Sequence, residues 1–211
     1  MTKKTSKDKR KAIALGLQQC IVEKGWAYTK LNDIAAKAGL VPSHVRYYFR
    51  SKEDLLAYRF DELCDEFGFR VYQIDRSSPL VWFQQLGYLV FTENAHLKET
   101  LLVLLEMNVA VAHSEQMMKT KTAADLTILQ EIENQFSQAP LVGNLDPRSA
   151  AQLVFATMNG LLTNEVFDSG PTVTEARSLF FSFVESISGL PLSTAPVSEL
   201  VDQKMLKHEQ S

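Results

Sequence analysis

Residues 29–52 of this 211-residue chain, TKLNDIAAKAGLVPSHVRYYFRSK, leave few local structures open. Thr29 reads as a helix N-cap, and Leu31, Ile34, Ala35 and Ala38 are spaced to form one buried face. Gly39 then stands where a helix end needs a left-handed residue without a Cβ penalty. Pro42 suits the first position of a new helix, where its missing N–H is not needed. That second helix is short and ends near Phe49. Helix, glycine turn and short helix make the geometry of a DNA-binding helix-turn-helix, whose second helix enters the major groove. The same spacing also suits an ordinary helical hairpin.

Charge separates the two readings. Residues 1–59 hold 13 Lys and Arg against 5 Asp and Glu, a net of +8. Residues 60–211 hold 9 against 20, a net of −11. Basic charge confined to the segment with the helical pair suits phosphate binding. Lys3, Lys4, Lys7, Lys9, Arg10 and Lys11 concentrate it further, in an arm that can contact DNA even if its first residues are disordered. Chemistry of other kinds has little support. No glycine-rich phosphate loop, HExxH pair or paired-cysteine metal motif is present. His44, His96, His113 and His208 are scattered without carboxylates at ligand spacing, so neither a catalytic residue, a metal site nor a cofactor is expected. The expectation is that the chain is not an enzyme.

Here the sequence resembles the TetR (tetracycline-repressor) family of bacterial regulators. The shared elements are Gly25 ending a basic first helix, Thr29, Ile34-Ala35, Ala38-Gly39, Tyr48-Phe49 and Ser51-Lys52-Glu53 opening a long helix. The likeness is dense over residues 8–60 and beyond that rests on helix count and lengths. Val41 stands where the family often has a serine cap, and Arg46 where it usually has tyrosine. The base-reading surface is therefore individual to this chain.

Pattern and length predict an all-α chain of about nine helices: a three-helix head with the helix-turn-helix and a larger helical body for ligand binding and dimerisation. The division expected is 1–51 for the head, 52–190 for the body and 191–211 as a flexible tail, with a short helix near 198–207. The first helix spans Lys7 to Lys24, and Ser51 to Asp54 form a capping box for a fourth that runs to Tyr72. Further helices are expected over Leu80–Thr92, Ala95–His113, Glu115–Phe136, Pro147–Asp168 and Val173–Ile187. No run is long enough to span a membrane, and no secretory leader pattern is present. Cys20 and Cys64 are too few for a disulfide framework and suit reduced thiols in the cytoplasm.

Roles in the head follow. Thr29 and Lys30 open the second helix, where backbone N–H groups favour a phosphate. Ser43, His44, Arg46 and Tyr47 project from the third helix, and Arg46 can take guanine O6 and N7 or clamp a phosphate. Tyr47 and Lys52 read as backbone contacts, Asn32 as a secondary base contact, and Tyr48 and Phe49 as core. A protein reading two half-sites needs a two-fold interface. The resemblance implies one built from the last two long helices, here with Leu153, Gly160, Leu161, Phe180, Phe183 and Ile187.

Glu106 and Asn108 interrupt the apolar run LLVLLEMNVAVA, where an unpaired carboxylate is costly. Internal pairing would satisfy them; so would a pocket shared with Trp82, Tyr88 and Met107, and the resemblance favours the pocket. The function expected is a ligand-responsive transcriptional regulator, a repressor that dimerises on a near-palindromic double-stranded DNA operator and is released by a small-molecule effector. The alternative is a helix-turn-helix regulator controlled by a protein partner.

Overall fold

The computed structural model describes residues 5–92, 95–167 and 170–193, with backbone alone at 95–97. Among these residues there are nine α-helices and no strand. They are α1 Ser6–Lys24, α2 Leu31–Lys37, α3 Pro42–Tyr48, α4 Lys52–Tyr72, α5 Pro79–Val90, α6 Ala95–Ala112, α7 Glu115–Phe136, α8 Pro147–Asn164 and α9 Val173–Ser188. None is long and apolar enough to cross a membrane, among the described residues. The tail expected at 191–211, with its short helix, falls almost wholly outside the described residues.

Local chemistry explains most of the boundaries. The Thr5 hydroxyl accepts the Asp8 N–H while the Asp8 carboxylate accepts the Thr5 N–H, which closes the first turn of α1. At the start of α4 the Ser51 hydroxyl accepts the Asp54 N–H, and the Asp54 carboxylate accepts the Arg50 N–H. Asp146 and Thr172 cap α8 and α9 in the same manner. α8 ends at Asn164, short of the expected Asp168. Beyond it the N–H groups of Val166 and Phe167 reach back three residues, to Thr163 and Asn164, and the coil tightens into turns.

The helices form two compact units, one of residues 1–66 with 98–122 and the other of 67–97 with 123–211. They do not coincide with a division at residue 51: the first core takes in most of α4, and α6 belongs to it as well. That core joins Ile13, Leu17, Cys20 and Ile21 of α1 to Ile34 and Ala35 of α2, Val45 of α3, Leu55, Leu56 and Phe60 of α4, and Val103, Met107 and Val111 of α6. Each large side chain so buried stabilises the unit by about 1.5–3 kcal/mol. Arg59 is buried too, its guanidinium donating twice to the Gln18 side chain and pairing with Glu62 and Glu66.

The second unit packs Trp82, Phe83, Leu86 and Val90 of α5 against Ile128, Ile132 and Phe136 of α7, Val154 and Met158 of α8, and Phe180 and Val184 of α9. Gly87 permits close approach of α5 to α9, since a Cβ there would lie 2.2 Å from the Phe181 ring. Arg177 of α9 donates to the Phe91 carbonyl at 2.9 Å and stacks over the Tyr88 ring.

Candidate nucleic-acid interface

Gly39 makes the helical pair possible. Its φ of +66° is the left-handed conformation expected of it, and the Leu40 N–H returns to the Ala35 carbonyl at 2.8 Å. α3 is then held from one side only. Val45 is its buried residue, and Phe49 just beyond its end is buried beside Tyr58. The Arg10 guanidinium lies 4.7 Å from both the Phe49 and Tyr58 ring centres. Arg10, counted above with the basic arm, therefore pins α1 to the residues that fix α3.

Most of the rest of α3 faces outward. Ser43, His44, Arg46 and Tyr47 are exposed, Tyr47 to 82 %, while Tyr48 is half-buried with its ring edge-on to Tyr47. Arg46 makes no ion pair among the described residues, so its guanidinium fork is available. Lys30 and Asn32 of the preceding turn and helix are exposed as well. Tyr28, in the loop before α2, is 75 % exposed, and no periodicity marks a lone loop aromatic. α2 is tied to α1 by the Lys24–Asp33 pair at 2.6 Å and by Lys37 with Glu23. The hydrogen bond from Lys24, with that from the Lys30 N–H, holds the Asp33 carboxyl below its ordinary range.

Two of the residues expected to contact DNA also make bonds inside the protein. Thr29 is 2 % exposed, and its hydroxyl donates to the Gly25 carbonyl at 2.8 Å. The N-cap of α2 is Lys30, whose N–H is taken by the Asp33 carboxylate. The Lys52 ammonium donates to the carbonyls of Trp26 and Thr29 at 3.0 and 3.1 Å and sits 3.9 Å from the Trp26 ring centre. Both residues close the loop between α1 and α2, which carries no helical hydrogen bonds of its own to satisfy those carbonyls.

The residues expected to share a pocket fall into different units. Trp82 and Tyr88 lie in the second, and Glu106, Met107 and Asn108 in the first. Met107 is buried in the first core, Asn108 is exposed, and Glu106 is half-buried beside Gly25, where a Cβ would stand 3.4 Å from its Oε1. Of the expected interface residues, Leu153 and Gly160 are exposed and Leu161, Phe183 and Ile187 half-buried. Phe180 is 0 % exposed and packs against Phe91. Cys20 is buried, which pushes its thiol pKa up.

A basic first helix, a glycine-turned helical pair and a short helix with a free outer face make up a helix-turn-helix head. Residues 18–58 match the family model described as bacterial regulatory proteins, tetR family. Solved structures agree over most of the length. A TetR transcription regulator from Haloarcula marismortui is 18 % identical with a TM-score of 0.76, over 86 % of this chain and 99 % of that one. The fatty acid degradation regulator FadR from Bacillus halodurans is 21 % identical with a TM-score of 0.70, over 87 % and 96 %. A protein assigned as a transcriptional regulator from Saccharomonospora viridis, in complex with choline, is 19 % identical with a TM-score of 0.73, over 87 % and 99 %. The head of this chain matches the TetR-family model in sequence, and the chain shares the fold of these transcriptional regulators.

Proposed function

We propose that this chain represses transcription as a homodimer on a near-palindromic operator and is released when a small molecule binds the body. One observation carries the DNA-binding part of the reading. α3 buries Val45 and presents Ser43, His44, Arg46 and Tyr47 together to solvent. A helix packed on one side and free on its outer face suits a reading head. Lys30, Asn32 and Tyr28, at and before the start of α2, are exposed as well.

Dimerisation follows from the need for two such helices about one DNA turn apart, roughly 34 Å. Leu153, Gly160, Leu161, Phe183 and Ile187, with the exposed Leu179, supply an apolar face on α8 and α9. A related fold in complex with choline supports an effector for this one. Such a regulator acts in the cytoplasm, on chromosomal DNA.

Selection of bound duplexes from a random pool tests the reading. The expected product is a near-palindrome holding two subunits, with affinity falling steeply as salt rises. Indifference to sequence would overturn it.

A further inference from the structure

A cleft of about 340 Å³ lies between α5 and α9, within the second unit. Its lining includes two side chains from each helix, spaced four residues apart: Gln84 and Tyr88 on α5, Arg177 and Phe181 on α9. Gln84 is one of the few buried polar residues of this unit among those described. The Tyr88 and Phe181 rings join the two walls, with centroids 5.9 Å apart. Leu192, buried beyond the end of α9, adds apolar surface.

Arg177 supplies the charge of this cleft. Its guanidinium lies 4.5 Å from the Tyr88 ring centre, and Nη1 donates to the Phe91 carbonyl at 2.9 Å. Nε and Nη2 bond to no described residue, and Arg177 makes no ion pair among those residues. The Glu185 carboxylate, two turns further along α9, accepts from the Ser193 hydroxyl and does not line the cleft. A guanidinium already fixed by a ring and a carbonyl loses little freedom on meeting an anion.

We propose that this cleft binds a small carboxylate with an apolar body, its charge taken by Arg177. The planar carboxylate matches the side-by-side Nε and Nη2 donors that the guanidinium still offers. The apolar body then has Phe181 and Leu192 to lie against. One guanidinium balances one negative charge, so a dianion such as a phosphate monoester would stay half-neutralised. A quaternary ammonium would meet like charge where Arg177 already covers a face of Tyr88. The volume is at the small end of ligand sites, which run from about 300 to 1,000 Å³, and suits a body of about one ring. This rests on the body being an effector domain and says which chemistry it takes.

The test uses the full chain with sodium benzoate, and with benzyl alcohol and benzylamine as neutral and cationic counterparts, all at equal ionic strength. Benzoate at about ten times its Kd should raise the melting temperature by about 3–6 °C, and the other two should leave it unchanged. Arg177→Met should weaken benzoate about tenfold or more in a calorimetric titration. That variant also loses the Phe91 bond, so a second one leaves the bond in place. Ser182 is exposed where it lines the cleft, and Ser182→Glu sets a solvated carboxylate there without entering the core. It should keep the melting temperature of the free protein and likewise weaken benzoate about tenfold.

Equal stabilisation by benzyl alcohol, or none by benzoate, would overturn the proposal. So would an unchanged benzoate affinity in Ser182→Glu, which would put the anion elsewhere, such as on the basic head. Should Arg177→Met fail to fold, Ser182→Glu decides alone. If benzoate binds as described yet leaves operator affinity unchanged, the site stands and the reading as an effector-released repressor fails.

Discussion

At the scale of single residues, charge on the head divides into side chains that hold it together and side chains free to meet DNA. Arg46 belongs to the free set. Arg46→Ala should weaken binding by about 1–3 kcal/mol on the preferred sequence and relax the preference there, as competition against random duplex will show. Equal loss on all duplexes would make it a phosphate clamp. Lys52 belongs to the structural set, with two carbonyls and an indole ring around its ammonium. Lys52→Met should destabilise the protein by about 1–2 kcal/mol in a thermal melt. The slope of binding against salt should change by well under 1, the value expected of a phosphate contact. Local signals made part of this legible. Gly39, Pro42 and the Ser51–Asp54 box act on near neighbours, and the structure uses them as their types dictate. The roles of Thr29 and Lys52 were not legible, because their carbonyl partners are set by the path of a loop, for Lys52 one that lies 23 and 26 residues away in the chain.

At the scale of helices, pattern located elements but could not choose between neighbouring apolar stripes. On α9, Ala176, Phe180 and Val184 form one stripe and Leu179, Phe183 and Ile187 the next. Both are apolar at the same spacing, and only packing shows that the first is core. The pocket expectation was limited by another fact: apolar runs do not say which core a helix joins, and α6 joins that of the head. Helix starts carry a pH dependence. Hydrogen bonds from the Ser149 hydroxyl and N–H hold the Asp146 carboxyl below its ordinary range, and bonds from Thr172 do so for Glu175. Both groups bind protons less readily folded than unfolded. Their stabilisation is present at neutral pH and is lost as pH falls through the ordinary carboxylate range, near about 4, toward the folded values. Asp146→Asn should keep most of the cap and flatten the acid limb of stability, as melts between about pH 3 and pH 7 will show.

At the scale of the molecule, the exposed stripe on α9 bears on assembly. Phe183→Asp should yield a monomer in sedimentation equilibrium, because an unpaired charge in a packed apolar interface costs several kcal/mol. A monomeric parent protein at micromolar concentration would remove the dimer. If release works as proposed, effector and operator weaken each other by one common factor, about 5- to 150-fold. Titration of either in the presence of the other checks the equality.

Gly87 gives this architecture a practical handle. No side chain can be added there without moving the Phe181 ring, whose edge already occupies the Cβ position. Gly87→Ala should overpack the contact by about 1–3 kcal/mol and lower the melting temperature by about 2–4 °C for each of these, measurable by calorimetry. The base-reading side chains would be untouched in sequence. If the chain represses as proposed, a cell carrying that allele would silence its target genes when cool and lose control of them when warm, so one methyl group would make control of those genes depend on temperature.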